Sequence, residues 1–182
     1  DLIRIKIDEW FHKYDDTDGF YRRVLNYFDL AAIEREGYYD KKGSPAFKYQ
    51  KRLRMIIRAI IKPDRNDRDN KVLDLGCGKG DFSLELGEIF PFNRVVGMDF
   101  SAEMLKLSNL YAQKARNVKF IRGNFMNMPF NERAYDIVVC LGVFHYIHPD
   151  DTEKAISELA RVARSDIILE IKNKITPFYL FR

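Results

Sequence analysis

The chain has 182 residues, 46% of them hydrophobic and 32% charged, with a net charge of +4. That length supports a domain with a real core, and the balance excludes a disordered chain. No apolar run approaches the roughly 20 residues of a membrane helix, and the two cysteines, Cys77 and Cys140, exclude a disulfide scaffold. The expectation is a soluble, cytoplasmic protein.

The opening Asp1-Leu2-Ile3-Arg4 alternates charge with apolarity, unlike a secretory leader. Without a first Met, the numbering is expected to begin inside the natural chain or after processing. The N-terminal part reads as helical and rich in aromatic residues: Trp10, Phe11, Tyr14, Phe20, Tyr21, Tyr38 and Tyr39. They are either helix core or a lid closing a site against water. A helix is expected from Ser44-Pro45, an N-cap followed by proline at the first helical position. Tyr49, Leu53, Ile56 and Ile60 give it one apolar face, and Lys48, Lys51, Arg52 and Arg58 fall largely elsewhere around it. Between Lys41 and Arg68 ten basic residues face two acids, Asp64 and Asp67, so this segment carries +8 and the rest −4. Such asymmetry permits an anionic partner without demanding one. Pro63 to Asn70 reads as a linker, dividing a helical extension over 1–68 from a core over 69–182.

Beyond the linker, strands and helices alternate. Strands are expected at Val72–Leu75, Val95–Met98, Val118–Arg122, Tyr135–Leu141 and Ile167–Ile171, with helices starting near Asp81, Ser101 and Asp151. The pattern predicts an α/β, Rossmann-like, doubly wound and mainly parallel sheet with helices on both faces. Ligands in such folds bind outside the carboxyl ends of the strands.

The first strand runs into Asp74-Leu75-Gly76-Cys77-Gly78-Lys79-Gly80 and then a helix. Glycines let the backbone turn sharply and let a ligand approach closely. The loop amides and the helix N-terminus favour a polar or anionic group, and Asp74 is placed to accept from a cationic one. The dinucleotide spacing Gly-x-Gly-x-x-Gly fails in both registers, where Asp81 and Ser83 take the third position. An acid at position 81 would also repel a pyrophosphate. Asp99 closes the second strand, 19 residues after Gly80. It can take both hydroxyls of a ribose, and Phe100 can lie against an adenine face. The other role for Asp99 is to cap the next helix, but Ser101 already serves there. After the third strand, Asn124 offers a carbonyl to an exocyclic amine and the Phe125 amide can serve a ring nitrogen.

Together these residues resemble the class I S-adenosylmethionine methyltransferases over roughly residues 69–175. Asp74 to Gly80 matches that family's acidic-x-Gly-x-Gly-x-Gly loop, and Asp99 its ribose-binding acid. Asn124 stands where the family usually has Asp at the adenine, keeping the acceptor and losing the charge. Tyr135-Asp136-Ile137-Val138-Val139 matches the fourth strand. Leu141-Gly142-Val143-Phe144-His145-Tyr146-Ile147 resembles the following loop of small-molecule members, a group that includes quinone, sterol and sugar methyltransferases. The resemblance implies S-adenosylmethionine as cofactor, bound by Asp74, Gly76, Cys77, Gly78, Gly80, Asp99, Phe100, Asn124, Phe125 and Leu141. It also implies a sixth strand and an antiparallel seventh, so C-terminal strands are expected to be missing after Arg182.

The implied reaction is direct SN2 displacement of the methyl group by a small-molecule acceptor. It needs alignment and exclusion of water, with a base where the acceptor must lose a proton. His145 is the first candidate and Tyr146 the second, although His145 serves equally well as a packing or loop-orienting residue. His148, before Pro149, belongs to a helix start. Neither the Asn/Asp-Pro-Pro-Tyr run of base-modifying enzymes nor the paired-glutamate loop of protein arginine methyltransferases is present. The alternative is an RNA-binding protein or RNA methyltransferase using the basic helix over 44–61, whose affinity would fall steeply with salt. Three scattered histidines and two cysteines show no ligand spacing, so no metal site is expected. Cys77 and Cys140 are read as packing residues on neighbouring elements.

Overall fold

The structure is a computed structural model and describes residues 16–34, 51, 54–55, 70–89 and 94–170. The expectations for Trp10, Phe11, Tyr14, Tyr38, Tyr39, most of the basic helix and nearly all of the linker lie outside these residues.

Short, largely buried apolar runs build the sheet first. Strands β1 (Lys71–Leu75), β2 (Arg94–Asp99), β3 (Val118–Arg122), β4 (Tyr135–Cys140) and β5 (Ala163–Leu169) lie in the order β3-β2-β1-β4-β5, every pair parallel. Successive side chains of a strand face opposite ways. Val72 therefore packs in one core with Phe82, Leu86 and Val95, while Leu73 and Leu75 pack in another with Val138, Leu159 and Val162. Helix α2 (Asp81–Ile89) supplies Phe82 and Leu86 to the first core. Helix α4 (Thr152–Val162) supplies Leu159 and Val162 to the second. Helix α3 (Ala102–Tyr111) follows β2, and the Ser101 side chain caps it by accepting from the Met104 amide. These helices occupy both faces, as a doubly wound sheet requires.

The fifth strand departs from expectation. It begins at Ala163, directly after α4, rather than at Ile167, and its pairing runs from Tyr135↔Ala163 to Cys140↔Leu169. Ala163-Arg164-Ser165-Asp166 carries no apolar run, so periodicity alone misses it. The fourth strand ends at Cys140, leaving Leu141 in the loop.

Helix α1 (Thr17–Glu34) lies against the carboxyl-end loops. Phe20 and Val24 are buried in a small cluster with Phe28, Phe100 and Tyr146 packed against it. The Tyr21 hydroxyl donates to Asp151 at 2.8 Å and accepts from the His148 amide at 3.1 Å. Ser101 Oγ donates to Asp29 of the same helix. No helix among the described residues is long and apolar enough to cross a membrane.

Candidate functional site

The order β3-β2-β1-β4-β5 reverses direction between β1 and β4, which opens a crevice at their carboxyl ends. The glycine loop leaves β1 at this point. Gly76, Gly78 and Gly80 all have positive φ, at 69°, 54° and 86°, where a Cβ is strained. Their surroundings differ. A Cβ on Gly76 would lie 2.2 Å from Val143 of the loop after β4, and one on Gly80 would lie 2.5 Å from Phe120. A Cβ on Gly78 would meet nothing within 4 Å. Two glycines are therefore required by neighbouring side chains, and Gly78 borders open space.

Four of the five amides from Gly76 to Gly80 bond within the protein. Gly76 and Cys77 donate to the Met98 carbonyl, Gly80 to Cys77, and Gly78 to the Asp99 carboxylate at 2.8 Å. These bonds shape the loop and fasten it to the end of β2.

Two acids converge on this loop. Asp74 is 3% exposed and accepts from Ser83 Oγ at 2.6 Å. Burial pushes its carboxyl up to about 7, with the Asp99 charge adding to the rise, while the Ser83 bond and the Arg54 charge oppose it. Asp99 is also buried, and burial raises it against the amides of Ser101 and Gly78. Asp99 accepts the Gly78 amide at Oδ2 and the Ser101 amide at Oδ1, and the Phe100 amide also favours its charged form. A carboxylate offers about four acceptor positions, so these amides leave it some capacity. Asp99 thus supports the start of α3 as well as the loop. Burial likewise raises both thiols, Cys77 and Cys140, and keeps them protonated. Leu75 pairs with Cys140, so the two cysteines do lie on adjoining elements.

The other expected residues lie on the segments that follow β2, β3 and β4. Phe100 meets Phe28 edge to face at 5.9 Å, and Phe125 meets Phe144 at the same distance. Asn124 Oδ1 accepts the Met126 amide at 2.8 Å, which spends part of the acceptor capacity expected for a base. Leu141 packs partly buried against the first core. His145 and Tyr146 sit in a short 3-10 turn, Phe144–Tyr146, with ring centroids 3.9 Å apart. Tyr146 packs edge-on against Phe28 at 4.9 Å and lies 6.5 Å from Tyr27. His148 caps the turn Pro149–Asp151 by accepting from Asp150, the role expected for it.

Tyr27, Phe28 and Ser83 are additions that sequence reasoning does not single out as site residues. The spacing Phe20, Val24, Tyr27, Phe28 is a helical stripe that marks the first two. No local pattern marks Ser83, because its partner lies on another element.

The lysine-rich segment contributes Lys51, which is exposed, and Arg54. Arg54 lies 3.4 Å from Glu85 and 5.9 Å from the centre of the Phe82 ring.

Comparison with known proteins agrees with this geometry. A family described as a methyltransferase domain matches residues 72–166. Demethylmenaquinone methyltransferase of Lactococcus lactis subsp. lactis (strain IL1403) is 31% identical over 114 residues, covering 59% of this chain and 44% of the relative. The protein of that name from Lactiplantibacillus plantarum (strain ATCC BAA-793 / NCIMB 8826 / WCFS1) is 39% identical over 97 residues, covering 51% and 40%. The chain spans less than half the length of these relatives. The crystal structure of magnesium protoporphyrin IX methyltransferase from Synechocystis PCC 6803 with bound SAM matches with a TM-score of 0.73 at 23% identity, covering 89% of this chain and 79% of that one. This last likeness concerns the fold.

Proposed function

The chain belongs to the methyltransferase domain family, and on that premise we propose that it binds S-adenosylmethionine and transfers its methyl group to a small-molecule acceptor. The observation that carries the reading is the meeting of two buried acids, Asp74 and Asp99, at a loop whose middle glycine, Gly78, faces open space. Buried acids reluctant to ionise favour a ligand that brings positive charge and disfavour a pyrophosphate. The names of the relatives, and the SAM bound in the Synechocystis structure, support the same cofactor.

When bound, the cofactor supplies a methyl group made electrophilic by its sulfonium. The chain's own residues do the rest. In this reading Asp74 faces the cationic end, Gly78 admits close approach, and Cys77 and Leu141 line the crevice. Asp99 takes the ribose hydroxyls through the acceptor capacity its backbone amides leave. Phe100 and Phe125 flank the base, with Asn124 at its edge. His145 would take the acceptor's proton where one must leave, with Tyr146 beside it, and the crevice would hold the acceptor in line with the methyl group for direct SN2 displacement. The aromatic wall of Phe28, Phe100 and Tyr146, completed by α1, excludes water. On this reading residues 1–68 form the lid and residues 69–182 the cofactor-binding core. The quinone relatives point to a small ring compound as acceptor. Of Lys48, Lys51, Arg52 and Arg58, on which the RNA reading rests, only Lys51 is among the described residues, and it is exposed.

Calorimetry with S-adenosylmethionine, S-adenosylhomocysteine and NAD tests the cofactor. Binding of the S-adenosyl ligands alone is expected, and NAD binding without them would end the reading. Transfer of labelled methyl to a panel of quinol, phenol, amine and carboxylate acceptors then tests the substrate class.

A further inference from the structure

Ser83 is the third residue of α2, and its side chain is fully buried. Its hydroxyl reaches back across the glycine loop to Asp74 Oδ2 at 2.6 Å, so the strand before the loop and the helix after it are tied together. Gly97 of β2 makes room for this contact, because a Cβ there would stand 2.8 Å from Ser83 Oγ. Packing alone would be served by alanine. A buried hydroxyl needs a partner, and the one it finds is the acid at the floor of the proposed cofactor site.

The groups facing Asp74 come from several elements. Asp99 at the end of β2 opposes its charge, and Arg54 favours it. The Cys77 thiol in the loop and the Cys140 thiol on β4 both feel the Asp74 charge and stay protonated. Ser83 is the donor that bonds Asp74 directly. It also neighbours the Cys77 thiol.

Resting on the cofactor reading above, we propose that Ser83 is a positioning residue for S-adenosylmethionine binding, holding the Asp74 carboxylate charged and in one orientation beneath the Gly76–Gly80 loop. Loss of the hydroxyl leaves a buried carboxylate that protonates more readily and turns more freely, so ligand binding weakens and its dependence on pH moves.

The test measures the S-adenosylmethionine dissociation constant of the full chain between pH 6 and 9, for wild type, S83A, S83C, D74N and the double variant S83A/D74N, with thermal unfolding of each. S83C keeps the volume with a poor donor and serves if S83A fails to fold. Wild-type affinity is expected to rise with pH as Asp74 ionises, and D74N to flatten the profile. S83A and S83C are expected to bind roughly tenfold more weakly at pH 7 and to shift the profile to higher pH. In the D74N background S83A is expected to add no further loss, because the serine acts through the acid. Wild-type binding with S83A or S83C unchanged in affinity and pH profile would overturn this inference alone, as would equal losses in both backgrounds. A wild type that binds no S-adenosyl ligand would overturn the cofactor reading and this inference with it.

Discussion

Replacing Asp74 with asparagine isolates the cost of a charge buried under the glycine loop. Burial raises this carboxyl from 3.8 to about 7. The shift is roughly three units, and at about 1.4 kcal/mol per unit it corresponds to a ceiling of about 4 kcal/mol. Below pH 3.8 the group is protonated in folded and unfolded chains alike, so no cost is felt. Between that value and about 7 the folded chain holds a proton that the unfolded chain has released, so stability falls as pH rises, then levels off. The substituted amide carries no charge and can still accept from Ser83. The advantage of Asp74→Asn over wild type should therefore grow by about 2–3 kcal/mol between pH 5 and pH 8. Urea unfolding of both proteins at unit pH steps measures that difference. Titration of Asp99 is common to both chains and cancels to first order. The same substitution should weaken S-adenosylmethionine binding at pH 8 by about 1.5–3 kcal/mol, the usual worth of a hydrogen bond to a charged group. A stability difference that stays flat from pH 5 to 8 would refute the claim that Asp74 ionises at the expense of the fold.

Asp99→Ala should weaken S-adenosylmethionine binding by about 1–3 kcal/mol in calorimetry and lower the melting temperature, because the Gly78 and Ser101 amides lose their acceptor. Gly78→Ala should lose at least about tenfold in cofactor affinity while costing only about 1–2 kcal/mol of stability, since its methyl group enters open space at a positive φ. Gly80→Ala should instead show its main loss in thermal unfolding, where the methyl group meets Phe120 and Ser108. Reversing Lys48, Lys51, Arg52 and Arg58 to Glu should leave cofactor affinity within about 0.5 kcal/mol. RNA binding at physiological salt that disappears in this variant would revive the nucleic-acid reading.

The central strands are legible because buried parallel strands are short apolar runs, as in Ile137-Val138-Val139-Cys140. The glycine loop is legible because positive φ restricts residue type, and all three glycines adopt it. The reason for each glycine is not legible. Two accommodate Val143 and Phe120, residues far away in sequence, and only Gly78 borders open space. The start of β5 escapes sequence reading because Ala163-Arg164-Ser165-Asp166 carries no apolar run. The helical character of the N-terminal part is visible, whereas its seat is not. Tyr21 reaches Asp151 across 130 residues of sequence, and such pairings leave no local trace. Ser83 is hidden for a similar reason. In the sequence it stands out only as a misplaced residue in a dinucleotide spacing, while its partner lies nine positions earlier on a different element.

One ring links two of these backbone sites. Phe120 of β3 covers both Gly80 and Gly97, standing 2.5 Å from a Cβ on the first and 2.6 Å from a Cβ on the second. Three positions on different elements are thereby bound into one unit of inheritance. A side chain at either glycine would meet this ring, and a smaller residue in its place leaves a void against the first core until something fills it. Gly97 has the further bar of the Ser83 hydroxyl, and Gly80 that of its positive φ. Among descendants of this chain, a smaller residue at 120 should therefore precede any departure from glycine at 80 or 97.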